Sequence, residues 1–266
     1  MTGIGILQDY NGSGQALGGI VTYSFFTAEP LMVDGPGFAR FGREHLIALA
    51  LCLVAINGLV RFYLQASDDG RWSERRRTMA TMAGAMIAMR FTHDLACLLT
   101  GTFTPPWWPL HLCNICELLC LIYVMRPSET LGLAVAGLAL PSGLLALAFP
   151  GWYYCPMLTW ASICGFVGHA NLVAFALSLI LSGDVKPRLR NAWVPLAHLA
   201  CYLAVIFPFN RTFDTNFAFI NWPIEGTPLV AMAEAFGNPG YLAPYLTLMV
   251  LIICGLFWLV DHIFED

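Results

Sequence analysis

The sequence predicts an all-α, polytopic membrane protein of seven transmembrane helices, with its N-terminus outside and its C-terminus in the cytoplasm. Three observations predict this. First, of 266 residues 58% are hydrophobic and only 11% are charged, against roughly 25% charged in a soluble domain. The mean hydropathy of +0.67 agrees. Second, the apolar residues fall in long unbroken runs. In a bilayer only helices or closed barrels satisfy their own backbone hydrogen bonds. A barrel would alternate apolar and polar residues over segments of about ten, so helices are the better fit. Third, the basic residues alternate by loop.

The elements follow in order. Residues 1–40 form a Gly-rich tail, expected outside the membrane. Ala16 to Ala28 is mildly apolar but too short to span, and Glu29-Pro30 ends it. The first 39 residues hold no Lys or Arg and no clear apolar core with a cleavage site, so no cleavable signal peptide is expected. Residues 41–266 form one membrane domain. A spanning helix needs about 20 apolar residues. Seven segments are assigned: His45–Leu64, Thr78–Leu99, Pro109–Met125, Leu131–Phe149, Pro156–Leu181, Ala192–Phe209 and Tyr241–His262. The third is the weakest by hydropathy. The fifth is the longest and is expected to tilt.

Orientation comes from Lys and Arg near the span ends. Arg61, Arg71, Arg75, Arg76, Arg77, Arg126, Lys186, Arg188 and Arg190 lie on one side. Arg40, Arg43 and Arg211 lie on the other, which gives nine against three. The richer side is cytoplasmic, and an odd number of spans is required. The one long loop, 210–240, falls outside. It reads either as a solvated connector or as a lid or re-entrant segment, because long ordered loops often serve function.

Cysteine gives no disulfide framework. Eight of the nine fall in apolar runs, where they act as small hydrophobes; Cys155 is the exception.

Ionisable groups inside spans cost about 2.5–3.5 kcal/mol each and point to function. The second span carries Arg90, His93 and Asp94 at i, i+3 and i+4, on one face. Arg90 and Asp94 can pair along the helix, either as a structural ion pair or to orient His93. The third span carries His111, Cys113, Asn114, Cys116 and Glu117. At 1.5 Å per residue, Glu117 lies about 12 Å below the outer end and Arg90 about 15 Å. A triad of Asp94, Arg90 and Glu117 is therefore expected. The spacing His111-x-Cys113-x-x-Cys116 suggests zinc, but a helix would point His111 away from Cys113, and no metal is predicted. Cys113, near a helix start, is the best-placed candidate nucleophile; the plainer reading is a small buried residue. The fifth span adds His169, near mid-membrane. His198 of the sixth lies near the inner face, apart from the others. His45 could join the rim. Asn216 of the outer loop is assigned with Arg90, His93, Asp94 and Glu117 as a substrate-binding or structural set.

Several ordered motifs carry a resemblance. "WWPLHLCNICELL", "LALPSGLLALAFPG", "GFVGHANLVAFALSLIL", "FNRTFDTNFAFINWPIEGTPL" and "GNPGYLAPY" resemble segments of the YwaF-like bacterial integral membrane proteins, over roughly residues 40–262. That family looks related to an animal transmembrane acyltransferase of ether lysophospholipids. The resemblance implies histidines at His111 and His169. It also implies a nucleophilic Cys immediately before His111, where this sequence has Leu110.

Three classes of function follow. The first is an intramembrane enzyme on lipid acyl groups. His111 or His169 would be its base, and Arg90 or Asn114 would stabilise negative charge. The second is a small proton-coupled transporter, although no inverted repeat is visible. The third is a non-catalytic receptor or assembly protein. A retinal pigment is disfavoured because Lys186, the only lysine, lies in a loop. ATP-driven activity is disfavoured because no Gly-Lys-Ser/Thr phosphate loop occurs. The expected partners are membrane lipids, including a lipid substrate, with no cofactor and no nucleic acid. The expected location is the cell membrane.

Overall fold

The apolar runs fold as helices close to their expected limits. The computed structural model describes residues 3–10, 16–70 and 73–263. Arg71, counted above with the inner arginines, lies outside the described residues. Gly3–Tyr10 (β1) and Ala16–Tyr23 (β2) pair as an antiparallel hairpin, with Ile6 opposite Ile20. The membrane domain that follows is helical. Its long helices are α1 (Arg43–Gln65), α2 (Glu74–Leu99), α3 (Leu112–Met125), α4 (Glu129–Ala148), α5 (Trp160–Leu181), α6 (Trp193–Phe213) and α8 (Leu242–Ile263), with the short α7 (Pro228–Phe236) between the last two.

Among the described residues, six helices are long and apolar enough to cross a membrane: α1, α2, α4, α5, α6 and α8. This is a multi-pass membrane architecture. The third expected span is shorter than its assignment. It has 14 residues because Pro105–Trp107 forms a separate 3-10 turn and His111 is extended rather than helical.

Local chemistry sets the helix starts. Ser73 caps α2 by accepting from Arg76 N at 3.2 Å. Ser128 caps α4 by accepting from Leu131 N at 3.2 Å. A capping oxygen of this kind contributes about 1 kcal/mol. The middle of α4, Val135–Ala139, winds as a π-helical turn. Pro141 follows directly and has no N–H to give to the turn before it. Such turns interrupt helices where side chains must be re-aimed.

The centre of the bundle is α5. It buries residues on most of its faces, including Leu172, Val173, Ala174, Phe175 and Leu179. Lipid-facing α1 buries only a stripe, His45, Cys52, Ile56, Val60 and Tyr63, and exposes Leu51, Leu53 and Val54. In the bilayer this inversion of the usual pattern costs nothing, because lipid tails are as apolar as leucine. The helices around α5 are α1, α2, α3 and α4; α6 and α8 lean on α4. Arg76 Nη2 donates to Val124 O at 2.9 Å, so the start of α2 meets the end of α3 and the two run antiparallel. Tyr63 donates to Asp184 at 2.5 Å, and Arg75 lies 3.8 Å from the same carboxylate. The arginine-rich loops thus gather at one end of the bundle. The site described next lies at the other.

Candidate functional site

The segment between the hairpin and α1 packs as an arm against the helices, burying Ala28, Met32 and Phe38. It brings in a residue that the sequence reading left in the tail. Glu29 enters the bundle beside His93. His93 Nε2–H donates to Glu29 Oε2 at 2.7 Å, and Tyr154 Oη–H donates to Glu29 Oε1 at 2.6 Å. On the other side of the imidazole, Arg90 Nη2–H donates to His93 Nδ1 at 2.7 Å. Arg90 also donates through Nε to Asp94 Oδ1 at 2.9 Å and forms an ion pair with it. The result is one chain of hydrogen bonds, Asp94–Arg90–His93–Glu29–Tyr154, across α2, the arm and the 150–155 loop. Burial alone would raise the Glu29 carboxyl. The hydrogen bonds from His93 and Tyr154, with the Arg90 charge, outweigh it and hold the group below its ordinary value. Burial and the neighbouring carboxylate push the Tyr154 phenol up, so it stays a donor.

Arg90 pairs with Asp94 as foreseen. Glu117, buried on α3, lines the same cavity and feels the Arg90 charge, but no Arg90–Glu117 ion pair within 4 Å forms among the described residues. Glu117 also lies against α5: a Cβ placed on Gly168 would be 3.8 Å from its Oε1.

Among the described residues, His169 is the histidine with a buried ring nitrogen that no hydrogen bond satisfies. Its Nδ1–H donates to Gly165 O at 2.6 Å. A carbonyl only accepts, so the proton sits on Nδ1 and the neutral ring presents Nε2 as a lone pair. That Nε2 is buried and has no hydrogen-bond partner among the described residues. The ring stacks on Trp152 at 5.0 Å with 15° between planes. Trp152 Nε1–H is likewise buried and unpartnered. An unsatisfied acceptor and donor side by side are uncommon in a folded core.

These groups face one cavity of about 460 Å³. Glu29, Arg90, His93, His111, Cys113, Asn114, Glu117, Trp152 and His169 all line it. His111 caps the start of α3 with an extended backbone. Its ring packs against Phe217 and Phe219 at 5.0 and 5.3 Å. Because His111 is not helical, it reaches the same space as Cys113, contrary to the helical projection. Even so, no group of His, Cys, Asp and Glu among the described residues forms a metal cluster.

Three expected members stand elsewhere. His45 is fully buried away from the cavity: Nδ1 accepts from Phe41 N and Nε2–H donates to Leu147 O, each at 2.8 Å. It is a satisfied core histidine, not a rim group. Asp94 does not line the cavity and meets it through Arg90 and His93. Asn216 organises the 210–240 loop, with Oδ1 accepting from Asn221 N and Trp222 N and Nδ2 donating to Trp222 O.

The 210–240 segment covers the cavity. Ala218, Phe219, Ile224, Thr227, Pro228 and Leu229 line it. Buried Asn210 holds this cover: Oδ1 accepts from Thr215 Oγ1 at 2.8 Å and Phe217 N at 3.0 Å, and Nδ2 donates to Phe217 O at 2.9 Å. From α8 and its start, Tyr241 donates to Phe219 O at 2.7 Å and Tyr245 to Ala218 O at 3.0 Å. Arg40 ties the arm to it, donating to Glu225 O at 2.6 Å while lying 3.9 Å over the Tyr153 ring.

Residues 40–260 match the TMEM164 family, a family of membrane proteins. The chain belongs to that family. No curated protein and no solved structure matches it. The stretch of this TMEM164-family chain that matches contains every cavity group named above except Glu29.

Proposed function

We propose that this protein is an intramembrane enzyme that transfers acyl groups between lipids, with His169 as the general base. The observation that carries the reading is His169 itself: it lines the cavity, Gly165 O fixes its ring, and its buried Nε2 lone pair has no hydrogen-bond partner among the described residues. A base so placed takes the proton of a lysolipid hydroxyl. The hydroxyl oxygen then attacks the carbonyl carbon of an acyl ester, the ester C–O bond breaks, and His169 returns the proton to the leaving oxygen. The unpaired amides at the start of α3 are donors for the developing oxyanion. Leu110 stands where the related acyltransferase has its cysteine, and it does not line the cavity. Transfer is therefore direct, with no acyl-enzyme on Cys113. The resemblance to the YwaF-like proteins and their acyltransferase relative supports the same class of chemistry. A proton-coupled transporter would need Asp94 to exchange protons, yet Asp94 is locked to Arg90.

The reading includes a seventh crossing and an orientation. At about 21 Å, α3 is short of the roughly 30 Å hydrocarbon core. It nevertheless runs antiparallel to α2, from the cavity to the level of Arg76. With seven crossings and the basic loops of the sequence on the opposite side, the cavity faces the outer leaflet of the cell membrane.

The test is turnover by purified protein in nanodiscs, with phospholipid donors and a panel of lysophospholipids. His169→Ala should lower the rate 10²–10⁴-fold, as loss of a general base does, and Cys113→Ser should leave it nearly unchanged. Absence of turnover by the wild type across all lysophospholipid classes would end the enzyme reading. Loss on Cys113→Ser would replace direct transfer by a covalent route.

A further inference from the structure

The cavity has a second part that the chemistry above does not use. Away from the polar groups its wall is apolar: Gly137, Leu138 and Pro141 on α4, Leu199 on α6, and Met249 and Ile253 on α8. Leu138, Leu199 and Ile253 are buried against protein, so this part is enclosed. Its far end is closed by the chain itself. A Cβ on Gly137 would meet Pro195 Cγ at 2.6 Å and Phe257 Cε2 at 3.1 Å. Phe257 is fully buried and lies one turn beyond Ile253 on the same face of α8. The near end opens sideways. Helix α8 packs on α4 chiefly at the π-helical turn Val135–Ala139. Closer to the polar groups, Leu145 of α4 and Leu248 of α8 both line the cavity yet are 46% and 38% exposed.

We infer that this arm is a slot for one fatty acyl chain, entered sideways from the bilayer between Leu145 and Leu248 and stopped by Phe257. The assignment rests on the acyl-transfer reading for what happens at the head of the slot, but its walls stand independently. A polar ligand would find no hydrogen-bond partner there, and desolvating its polar groups would disfavour it. An acyl chain loses nothing on moving from lipid into such a wall. From Tyr245 to Ile253 the α8 face runs about 12 Å, a large part of a chain. The whole cavity, about 460 Å³, has the size of a single-ligand pocket, so its apolar part takes one acyl chain and leaves the other chains of both lipids in the bilayer. Phe257 and Pro195 therefore determine the length accepted.

The slot is tested by photolabelling of the full-length protein in nanodiscs. The probes are phosphatidylcholines with a diazirine at the end of one chain, in a series of lengths, with the matching free fatty acids as a second arm. Adducts are mapped by mass spectrometry. Labelling should fall on Phe257, Ile253 and Leu138 at one preferred length, and the two arms show whether an esterified or a free chain fills the slot. Phe257→Ala should move the preferred length up by one helical turn, about 5.4 Å or roughly four methylenes. Leu138→Trp should cut these adducts at least tenfold. If Phe257→Ala does not fold, Phe257→Leu tests the same direction with a smaller shift. Adducts confined to lipid-facing residues such as Leu51, Leu53 and Val54, or a preferred length that Phe257 variants do not move, would overturn the slot. Labelling at Phe257 without turnover would remove the enzyme reading and leave the slot. Turnover without that labelling would remove the slot alone.

Discussion

Removing Glu29 tests whether the arm is part of the site. Glu29 accepts from two buried donors, His93 at 2.7 Å and Tyr154 at 2.6 Å. The side chains of His93 and Glu29 are 7% and 17% exposed, so solvent screens little. Glu29→Ala leaves both donors unanswered inside the bundle. Breaking a buried pair from one side costs about 3–5 kcal/mol. Glu29→Gln keeps one carbonyl oxygen and loses one bond and the charge, a cost of about 1.5–3 kcal/mol. For a chain of this size each kcal/mol moves the melting temperature by about 2–4 °C. Glu29→Ala should therefore fall by roughly 6–20 °C, and Glu29→Gln by about half as much. The assay is thermal unfolding of detergent-solubilised protein followed by size-exclusion, with exposed Glu44→Gln as control. The Glu29 carboxyl is held below its ordinary value of 4.5. Its contribution is thus fully present above that pH and is lost as pH falls through the depressed folded value. The gap between wild type and Glu29→Gln should be constant at neutral pH and close in acid. In a cycle with His93→Ala the two changes should be non-additive by about 1–3 kcal/mol. A Glu29→Ala melting point within 2 °C of the control, or full additivity with His93→Ala, would refute the pairing.

Two further outcomes are expected. Asn210→Ala removes three hydrogen bonds that hold the cover, a loss of about 2–4 kcal/mol; amide exchange over residues 214–222 should rise, and unchanged exchange there would show that other contacts hold the segment. Gly165→Ala would drive a methyl into the Trp152 ring, whose Cδ2 lies 2.6 Å from the new Cβ position, costing about 1–3 kcal/mol and parting Trp152 from His169. Adding Trp152→Ala should then restore part of the lost stability, and no recovery would show that the clash lies elsewhere.

Much of the helical frame was legible because hydropathy reports directly on what a bilayer selects. Thr78–Leu99 and Pro156–Leu181 were placed within four residues of their observed limits, Glu74–Leu99 and Trp160–Leu181. The start of α3 was misplaced because Pro109 can open a helix or precede one; the chain stays extended through His111. That error mattered, since helical geometry had wrongly separated His111 from Cys113. The cost of intramembrane charge drew notice to Arg90, His93, Asp94, Glu117 and His169, and all but Asp94 line the cavity. Glu29 and Trp152 carried no such signal. A carboxylate in a Gly-rich tail and a tryptophan in a short loop are ordinary until the fold sets them against His93 and His169. Glu117 and Arg90 share the cavity, yet the close ion pair goes to Asp94: equal depth on neighbouring helices does not fix rotation, and Asp94, on Arg90's own helix, is always within reach.

The cavity takes Glu29 from the arm and Ile253 from the last long helix. No contiguous stretch of the chain holds its walls. During insertion, Arg90 and Asp94 can neutralise each other as soon as α2 forms, but His169 must wait for Tyr241 and Tyr245 to secure the cover above it. A chain halted before α8 would leave His169 uncovered, with no chamber around it. Placement of α8 is then the step that closes the chamber over His169.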